Sequence, residues 1–157
     1  MDKISEKILK ILSSKEVNEE KISGIHLLEK LKYLIINELK TINNSDYENV
    51  LNDYNNLGEN SSKNIIENDL FFSHFNFYNE SVSNIKTTIE HDTLYIIISG
   101  YKNITLYNSK NKTSSSLSLV KNTGIVLSNN SVRSEKIGPK SIIIDIVSKK
   151  DSLNIEK

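Results

Sequence analysis

Residues 93–100 read Thr-Leu-Tyr-Ile-Ile-Ile-Ser-Gly, and residues 101–107 continue as Tyr-Lys-Asn-Ile-Thr-Leu-Tyr. Successive side chains of a β-strand point to opposite faces of the sheet. Both faces of this strand are largely apolar, since one carries Thr93, Tyr95 and Ile97 and the other carries Leu94, Ile96 and Ile98. We therefore predict a strand that is buried on both sides, in a sandwich or barrel, and a turn at Gly100 that leads into a second strand.

The same period of two runs through the second half of the chain. Apolar and polar residues alternate from Phe71 to Tyr78. Further short strands are predicted at residues 83–89, 93–99, 102–108, 115–120, 124–128, 131–136 and 141–148. Seven or eight short strands at near-regular spacing are typical of an antiparallel sandwich or barrel.

The first half has a helical period instead. Apolar residues recur at helical spacing over 2–13, 19–42 and 46–57, and a polar loop is predicted at 59–64. We therefore divide the chain into a helical segment at 1–64, with about three helices, and a β-barrel at 65–157. The apolar stripe of the long second helix is wider than one neighbouring element covers, so the helices pack either across the barrel or against a second subunit. We expect a homodimer.

The composition excludes several classes of protein. Among 157 residues, 20 Lys and Arg balance 20 Asp and Glu, so no general charge attracts nucleic acid or an anionic membrane. The chain has no Cys, which excludes disulfides and zinc–thiolate sites. The N-terminus lacks the pattern of a signal peptide, and no apolar run approaches the roughly 20 residues of a membrane helix. We expect a cytoplasmic protein.

Two blocks of the β half resemble the cupin superfamily. Residues 94–100, continuing into 104–106, are similar to the strand, glycine turn and strand that close the first cupin motif. Residues 120–130 are similar to the start of the second motif, and 142–147 lie where the last barrel strand would be. The resemblance implies a mainly β fold: a double-stranded β-helix, or jelly-roll, barrel over about residues 70–148, with an N-terminal α-helical segment before it.

The chain departs from the family at its metal site. Metal-binding cupins present two histidines and a glutamate before the first glycine, and a third histidine after the second turn. On this chain the two histidine positions fall near Thr87 and Ile89, or one residue earlier. The glutamate position falls on Thr93, and the third histidine position falls near Arg133. None of these residues is the expected ligand. The resemblance therefore implies a barrel without the usual metal, and we expect no cofactor.

Five side chains are candidates for binding a ligand in the barrel interior: His74, His91, Thr93, Tyr95 and Arg133. His91 shares its strand parity with Thr93 and Tyr95, so it is predicted to face inward if that face is the interior. The alternative is a turn residue at the start of a strand, with no special role. An imidazole in the interior can act as a base, orient a ligand or bind a metal.

His74 lies on the strand face opposite to that of the neighbouring phenylalanines, and it either joins His91 in a two-histidine site or lies at the surface. Arg133 would need a carboxylate or phosphate ligand, or an internal partner such as Glu135 or Asp145, if it is buried. An exposed Arg133 is the alternative.

Three functions remain open. The first is a metal-independent small-molecule-binding barrel, with helices that mediate dimerisation. The second is a metal-dependent cupin enzyme of the lyase, isomerase or dioxygenase type, with a non-standard site around His91 and His74. The third is a structural or regulatory assembly protein. A cyclic-nucleotide-binding domain fits less well, because Ile125, Val126 and Leu127 follow Gly124 where a phosphate-binding cassette is required.

Overall fold

Helices occupy the first third of the chain and strands occupy the remainder. The computed structural model describes residues 2–19, 24–108, 110 and 112–149. The helices are α1 (Lys3–Leu12), α2 (Lys15–Asn18), α3 (Gly24–Leu39) and α4 (Asn44–Leu57). The strands are β1 (Ser61–Glu67), β2 (Phe71–Tyr78), β3 (Val82–Thr88), β4 (Thr93–Ser99), β5 (Lys102–Asn108), β6 (Thr113–Leu119), β7 (Gly124–Leu127), β8 (Val132–Ile137) and β9 (Ser141–Ser148).

The strands form two antiparallel sheets that face each other. Sheet A has the order β1-β2-β9-β4-β7, and sheet B has the order β3-β8-β5-β6. All strand pairs are antiparallel, and strands distant in sequence lie side by side, such as β2 and β9. This arrangement confirms the predicted jelly-roll architecture with an N-terminal helical segment. Each strand predicted between residues 83 and 148 is present, with ends that differ by at most two residues.

Sheet A carries buried apolar residues on both faces, as the pattern of residues 93–99 predicted. One face packs on the helices and carries Phe71, Phe75, Phe77, Leu94, Ile96, Ile98, Ile142, Ile144 and Ile146. The other face carries Ile97 and Ile143, which pack in a second core with Ile104 and Ile137 of sheet B. The barrel interior is therefore the space between the inner faces of the two sheets.

The long predicted helix at 19–42 is shorter in the structure. Helix α3 covers Gly24–Leu39, α2 covers Lys15–Asn18, and residues 20–23 of the prediction lie outside the described residues. Helix α3 contacts α1 and also strands β4, β7 and β9, so its broad apolar stripe is covered within one chain. The helix-mediated homodimer stays a prediction. None of the described helices has both the length and the apolar character that crossing a membrane requires.

The prediction of a polar loop at 59–64 is wrong for residues 61–64, which belong to a strand. Strand β1 begins at Ser61 and pairs with β2, with Ser61 opposite Phe77. The strand lies at the edge of sheet A and exposes Ser62, Lys63 and Asn64, so its sequence lacks the apolar alternation of an inner strand. The predicted division between residues 64 and 65 falls within this strand.

Gly100 has a positive φ of 75°, as expected of the turn that follows β4. We expect Gly100→Ala to lower the free energy of unfolding by roughly 2–5 kcal/mol, because a left-handed backbone disfavours a side chain and the site is overpacked. A Cβ at Gly100 would lie 2.8 Å from Ser141 Cα, and closer still to Ser141 Oγ. Urea unfolding monitored by circular dichroism measures the loss.

Gly58 provides the matched control, because its φ of 67° is also left-handed while a Cβ there would meet no atom within 4 Å. Gly58→Ala should therefore lose only the backbone contribution, about 1–2 kcal/mol. Equal losses in the two variants would contradict the steric part of this explanation.

Candidate functional site

A row of polar side chains crosses the inner face of sheet A. Asp145 of β9 is paired with His74 of β2 on one side and with Tyr95 of β4 on the other. Tyr95 alternates with Ile97, and Asp145 alternates with Ile143, both of which belong to the core between the sheets. His74, Asp145 and Tyr95 therefore point into the barrel.

Sheet B contributes an ionic cluster that faces this row and is buried at Lys102 and Glu135. Lys102 Nζ lies 2.9 Å from Glu135 Oε2, and Arg133 Nε lies 3.5 Å from the same oxygen. Asn84 donates a hydrogen bond of 2.7 Å from Nδ2 to Glu135 Oε1. The side chain of Lys102 is only 2% exposed and that of Glu135 only 6%. We name these four residues, Asn84, Lys102, Arg133 and Glu135, the sheet B cluster.

Tyr95 links the sheet A row to the sheet B cluster. The ammonium of Lys102 lies 3.4 Å from the centroid of the Tyr95 ring, within the range of a cation–π interaction. Burial raises the pKa of Tyr95, an effect that Glu135 reinforces and a hydrogen bond with Arg133 opposes. Burial, together with Glu135, Asp145 and Tyr95, raises the pKa of Tyr78 to about 12. Both phenols are therefore neutral hydrogen-bonding groups at neutral pH.

Glu135 is ionised despite its burial. Burial alone would raise its pKa, but the charge and hydrogen bond of Lys102, the charge of Arg133 and the hydrogen bond from Asn84 together leave the pKa below its ordinary value. Burial lowers the pKa of Lys102, and the Glu135 carboxylate opposes that shift. Because two cations lie beside Glu135 and Asn84 donates a hydrogen bond to it, the surroundings favour the ionised carboxylate.

The depressed pKa of Glu135 predicts how stability depends on pH. At pH values between the pKa of Glu135 in the folded protein and its pKa in the unfolded chain, the unfolded chain binds more protons. Lowering the pH through this range therefore favours unfolding. We expect wild type to be more stable than Glu135→Gln at neutral pH, and the difference to shrink as pH falls below 4.5, the ordinary value, and through the folded-state pKa. Urea unfolding of both proteins across a pH series measures this, and a constant difference down to strongly acidic pH would contradict it.

His74 and Asp145 form a partly exposed pair. His74 Nδ1 lies 3.0 Å from Asp145 Oδ1, which also accepts a hydrogen bond of 3.0 Å from the backbone N–H of His74. Asn76 Nδ2 donates to Asp145 Oδ2 at 3.1 Å. Because a carboxylate only accepts, Nδ1 is the donor and Nε2 of a neutral imidazole is the free acceptor. We call the row on sheet A and the sheet B cluster together the polar interior. The His74 and Asp145 side chains are 20% and 22% exposed, so this end of the polar interior reaches solvent.

The structure places four of the five predicted site residues on the inner faces of the sheets, and three of them, His74, Tyr95 and Arg133, belong to the polar row or the sheet B cluster. Thr93 is buried on the same face, and its hydroxyl donates to the backbone oxygen of His91 at 2.8 Å. His91 lies in an exposed bend before β4, so its parity with Thr93 and Tyr95 does not continue into the strand. It lies four residues from the His74–Asp145–Tyr95 row, on the order of 13 Å along an extended chain.

Of the two internal partners suggested for Arg133, Glu135 is the one whose carboxylate lies beside it, at 3.5 Å. The roles of Lys102 and Asn84 were missed. Both missed residues occupy inward-facing positions, because Lys102 is paired with Ile137 and Asn84 with Glu135 across their strands. In the sequence, Lys102 stands two residues before the apolar Ile104 in a predicted strand. A lysine on the same strand face as Ile104 is the one feature of the sequence that indicates a buried cation.

The residues at the family's metal-ligand positions do not fit a metal. Thr87 and Arg133, at two of the histidine positions, are paired across β3 and β8, and Arg133 Nη1 donates to Thr87 Oγ1 at 2.6 Å. A guanidinium carries a positive charge and has no lone pair for a cation. Across the described parts of the chain, no group of three or more His, Asp or Glu side chains is arranged to hold a metal ion.

No protein-family model and no curated protein matches the chain. Three solved structures are similar. KdgF from Halomonas sp. is 14% identical, with 58% of this chain and 81% of that chain covered and a TM-score of 0.49, and a cupin superfamily protein from Desulfitobacterium hafniense DCB-2 is 15% identical, with 59% of this chain and 79% of that chain covered and a TM-score of 0.49. The Schizosaccharomyces pombe Cnp3 cupin domain is 10% identical, with 59% of this chain and 61% of that chain covered and a TM-score of 0.47. At these identities and TM-scores the similarity concerns the fold alone.

Proposed function

We propose that this cupin-like barrel binds a small, neutral, polar molecule between its sheets and needs no metal to do so. The observation that supports the proposal is the continuity of the polar interior. The partly exposed His74–Asp145 pair opens to solvent, and Tyr95 connects it to the buried sheet B cluster. Ligand sites contain polar groups that converge on one space, and here the polar row of sheet A faces the charged side chains of sheet B.

Stability alone does not explain so many charged groups inside a barrel. Desolvation of buried ion pairs is costly, and apolar replacements of similar volume are often equally stable or more stable. Lys102, Arg133, Glu135 and Asp145 all lie on inward-facing positions of their strands. A binding role accounts for them, because they direct donors and acceptors into the same space.

The charge of the interior indicates the class of ligand. The two cations, Lys102 and Arg133, equal in number the two carboxylates, Glu135 and Asp145. An ionic ligand would add a charge with no free partner in this set. A molecule rich in hydroxyl groups, such as a polyol or a neutral sugar, donates and accepts without adding charge.

Ligand-observed NMR on chelator-treated protein tests this proposal, with a panel of neutral polyols and monosaccharides beside a panel of small carboxylates. We expect binding within the neutral panel, and a loss of about tenfold or more in Asp145→Asn, because a hydrogen bond to a charged group contributes about 1.5–3 kcal/mol. Asp69→Asn is the matched control, since Asp69 is exposed in the turn before β2. Binding only to the carboxylates, no binding, or equal binding in both variants would overturn the proposal.

The His74–Asp145 pair favours a second candidate, a metal-independent enzyme that transfers a proton. The carboxylate holds the imidazole with Nε2 free to act as a base. Incubating a ligand identified by the binding screen with the protein, and following it by NMR, would reveal conversion. Conversion that is lost in His74→Gln supports this candidate, whereas unchanged ligand after prolonged incubation with wild type excludes it for that ligand.

A further inference from the structure

The edge of sheet B at strand β6 differs from the other sheet edges. Seven consecutive residues of β6, Thr113–Leu119, pair with β5 without a shift in register. Their sequence, TSSSLSL, contains no charged residue and no proline, and Thr113 to Ser116 and Ser118 are exposed. An unpaired edge strand presents a row of backbone N–H and C=O groups that can pair with another strand.

The other three edges formed by the described strands carry features that oppose such pairing. Strand β1 contains Lys63 and has a register shift, and β3 contains Lys86 and also has a register shift. Strand β7 has only four residues and contacts helix α3. Charges, irregular register and short length are the common ways in which proteins protect a sheet edge. Strand β6 has none of them.

We propose that β6 pairs with β6 of a second copy of this chain, in antiparallel orientation, so that two B sheets join into one. Directly opposite residues in such a pair point to the same face. The two-fold axis, which is perpendicular to the sheet, must therefore pass midway between the two copies of one residue, so that this residue lies opposite its own copy. Only an axis at Ser116 pairs all seven residues, with Ser115 opposite Leu117 and Thr113 opposite Leu119.

The chemistry of β6 suits a copy of itself. Symmetric pairing places identical or nearby residues together, so any charged residue near the axis would meet a like charge, as Lys86 would in β3. In β6 the outer face brings together only Ser114, Ser116 and Ser118 of each copy. The inner face adds apolar contact through Leu117 and Leu119, and Val120 beside it is 53% exposed. A seam of one strand pair is smaller than a standard stable interface, so we expect a dimer that depends on concentration.

The lack of cysteine makes the register directly testable. In Ser116→Cys, the two thiols of the proposed dimer lie opposite each other, with Cα atoms about 4.5–5.5 Å apart, which allows a disulfide. We expect rapid formation of a covalent dimer under mild oxidation. Ser83→Cys is the matched control, because Ser83 is exposed on the outer face of the same sheet at the opposite edge. Equal cross-linking of both variants would overturn the proposal.

Analytical ultracentrifugation of wild type, Ser116→Lys and Ser83→Lys provides a second test. We expect a concentration-dependent dimer in wild type and in Ser83→Lys, and a monomer in Ser116→Lys, because two ammonium groups would face each other at the axis. Circular dichroism confirms that each variant is folded. A wild type that stays monomeric at the highest attainable concentration would overturn the proposal. So would a dimer that persists in Ser116→Lys, which would indicate pairing through another surface such as the helices.

Discussion

Replacing Glu135 by leucine is expected to lower the free energy of unfolding by about 3–5 kcal/mol, because it leaves a buried cation without its counter-charge. Lys102 has a side chain that is 2% exposed, and its ammonium lies 2.9 Å from the Glu135 carboxylate. Arg133 and Asn84 lose a partner in the same substitution. Urea unfolding at neutral pH, monitored by circular dichroism, measures the loss.

A double-mutant cycle separates the ion pair from packing. In Lys102→Met combined with Glu135→Leu, both charges are replaced by apolar side chains, so we expect a smaller loss than the sum of the two single losses. Glu80→Leu is the control for a carboxylate in an exposed position and should change stability little. Additive losses in the cycle, or a loss below about 1 kcal/mol in Glu135→Leu, would show that the buried pair is not coupled.

The strand pattern was predictable because burial on both faces leaves a strong signal. Residues 93–99 and 141–148 are apolar at both parities, and the structure places them side by side in the middle of sheet A. Strand β1 gave no such signal. Its exposed polar residues pair with β2 through backbone groups, which any residue other than proline supplies, so nothing in the side chains at 61–64 distinguishes this strand from a loop.

The candidate site was only partly predictable, because parity gives the face of a residue but not its neighbours. Parity indicated the face of Tyr95, whereas the position of Arg133 came from the family resemblance and His74 was left between the interior and the surface. Parity failed for His91, since alternation holds only within a strand and β4 begins at Thr93. The contact between His74 and Asp145 depends on the pairing of β2 with β9, two strands far apart in the sequence. No local pattern contains that information.

The helices and the barrel are expected to unfold together, because they share one core. Phe75 of β2 is 1% exposed, and its ring lies 5.1 Å from that of Tyr54 in α4, at an angle of 26°. Tyr54 also lies 5.5 Å from Phe77. These three rings connect helix α4 to the outer face of sheet A, which is the face opposite to the polar interior.

Phe75→Ala should therefore lower the free energy of unfolding by about 3–5 kcal/mol, through lost burial and the cavity that remains. Far-ultraviolet circular dichroism follows the helices, and the NMR signals of the backbone amides of β4 and β9 follow the barrel. We expect the two signals to change in one coincident transition in wild type and in the variant. Phe75→Leu, which keeps much of the apolar volume, should lose less. If the helices unfolded first, the outer face of sheet A would lose the side chains that cover it, so a shared core predicts a single transition. Separate transitions for the two signals would show that the helical segment and the barrel are independent units.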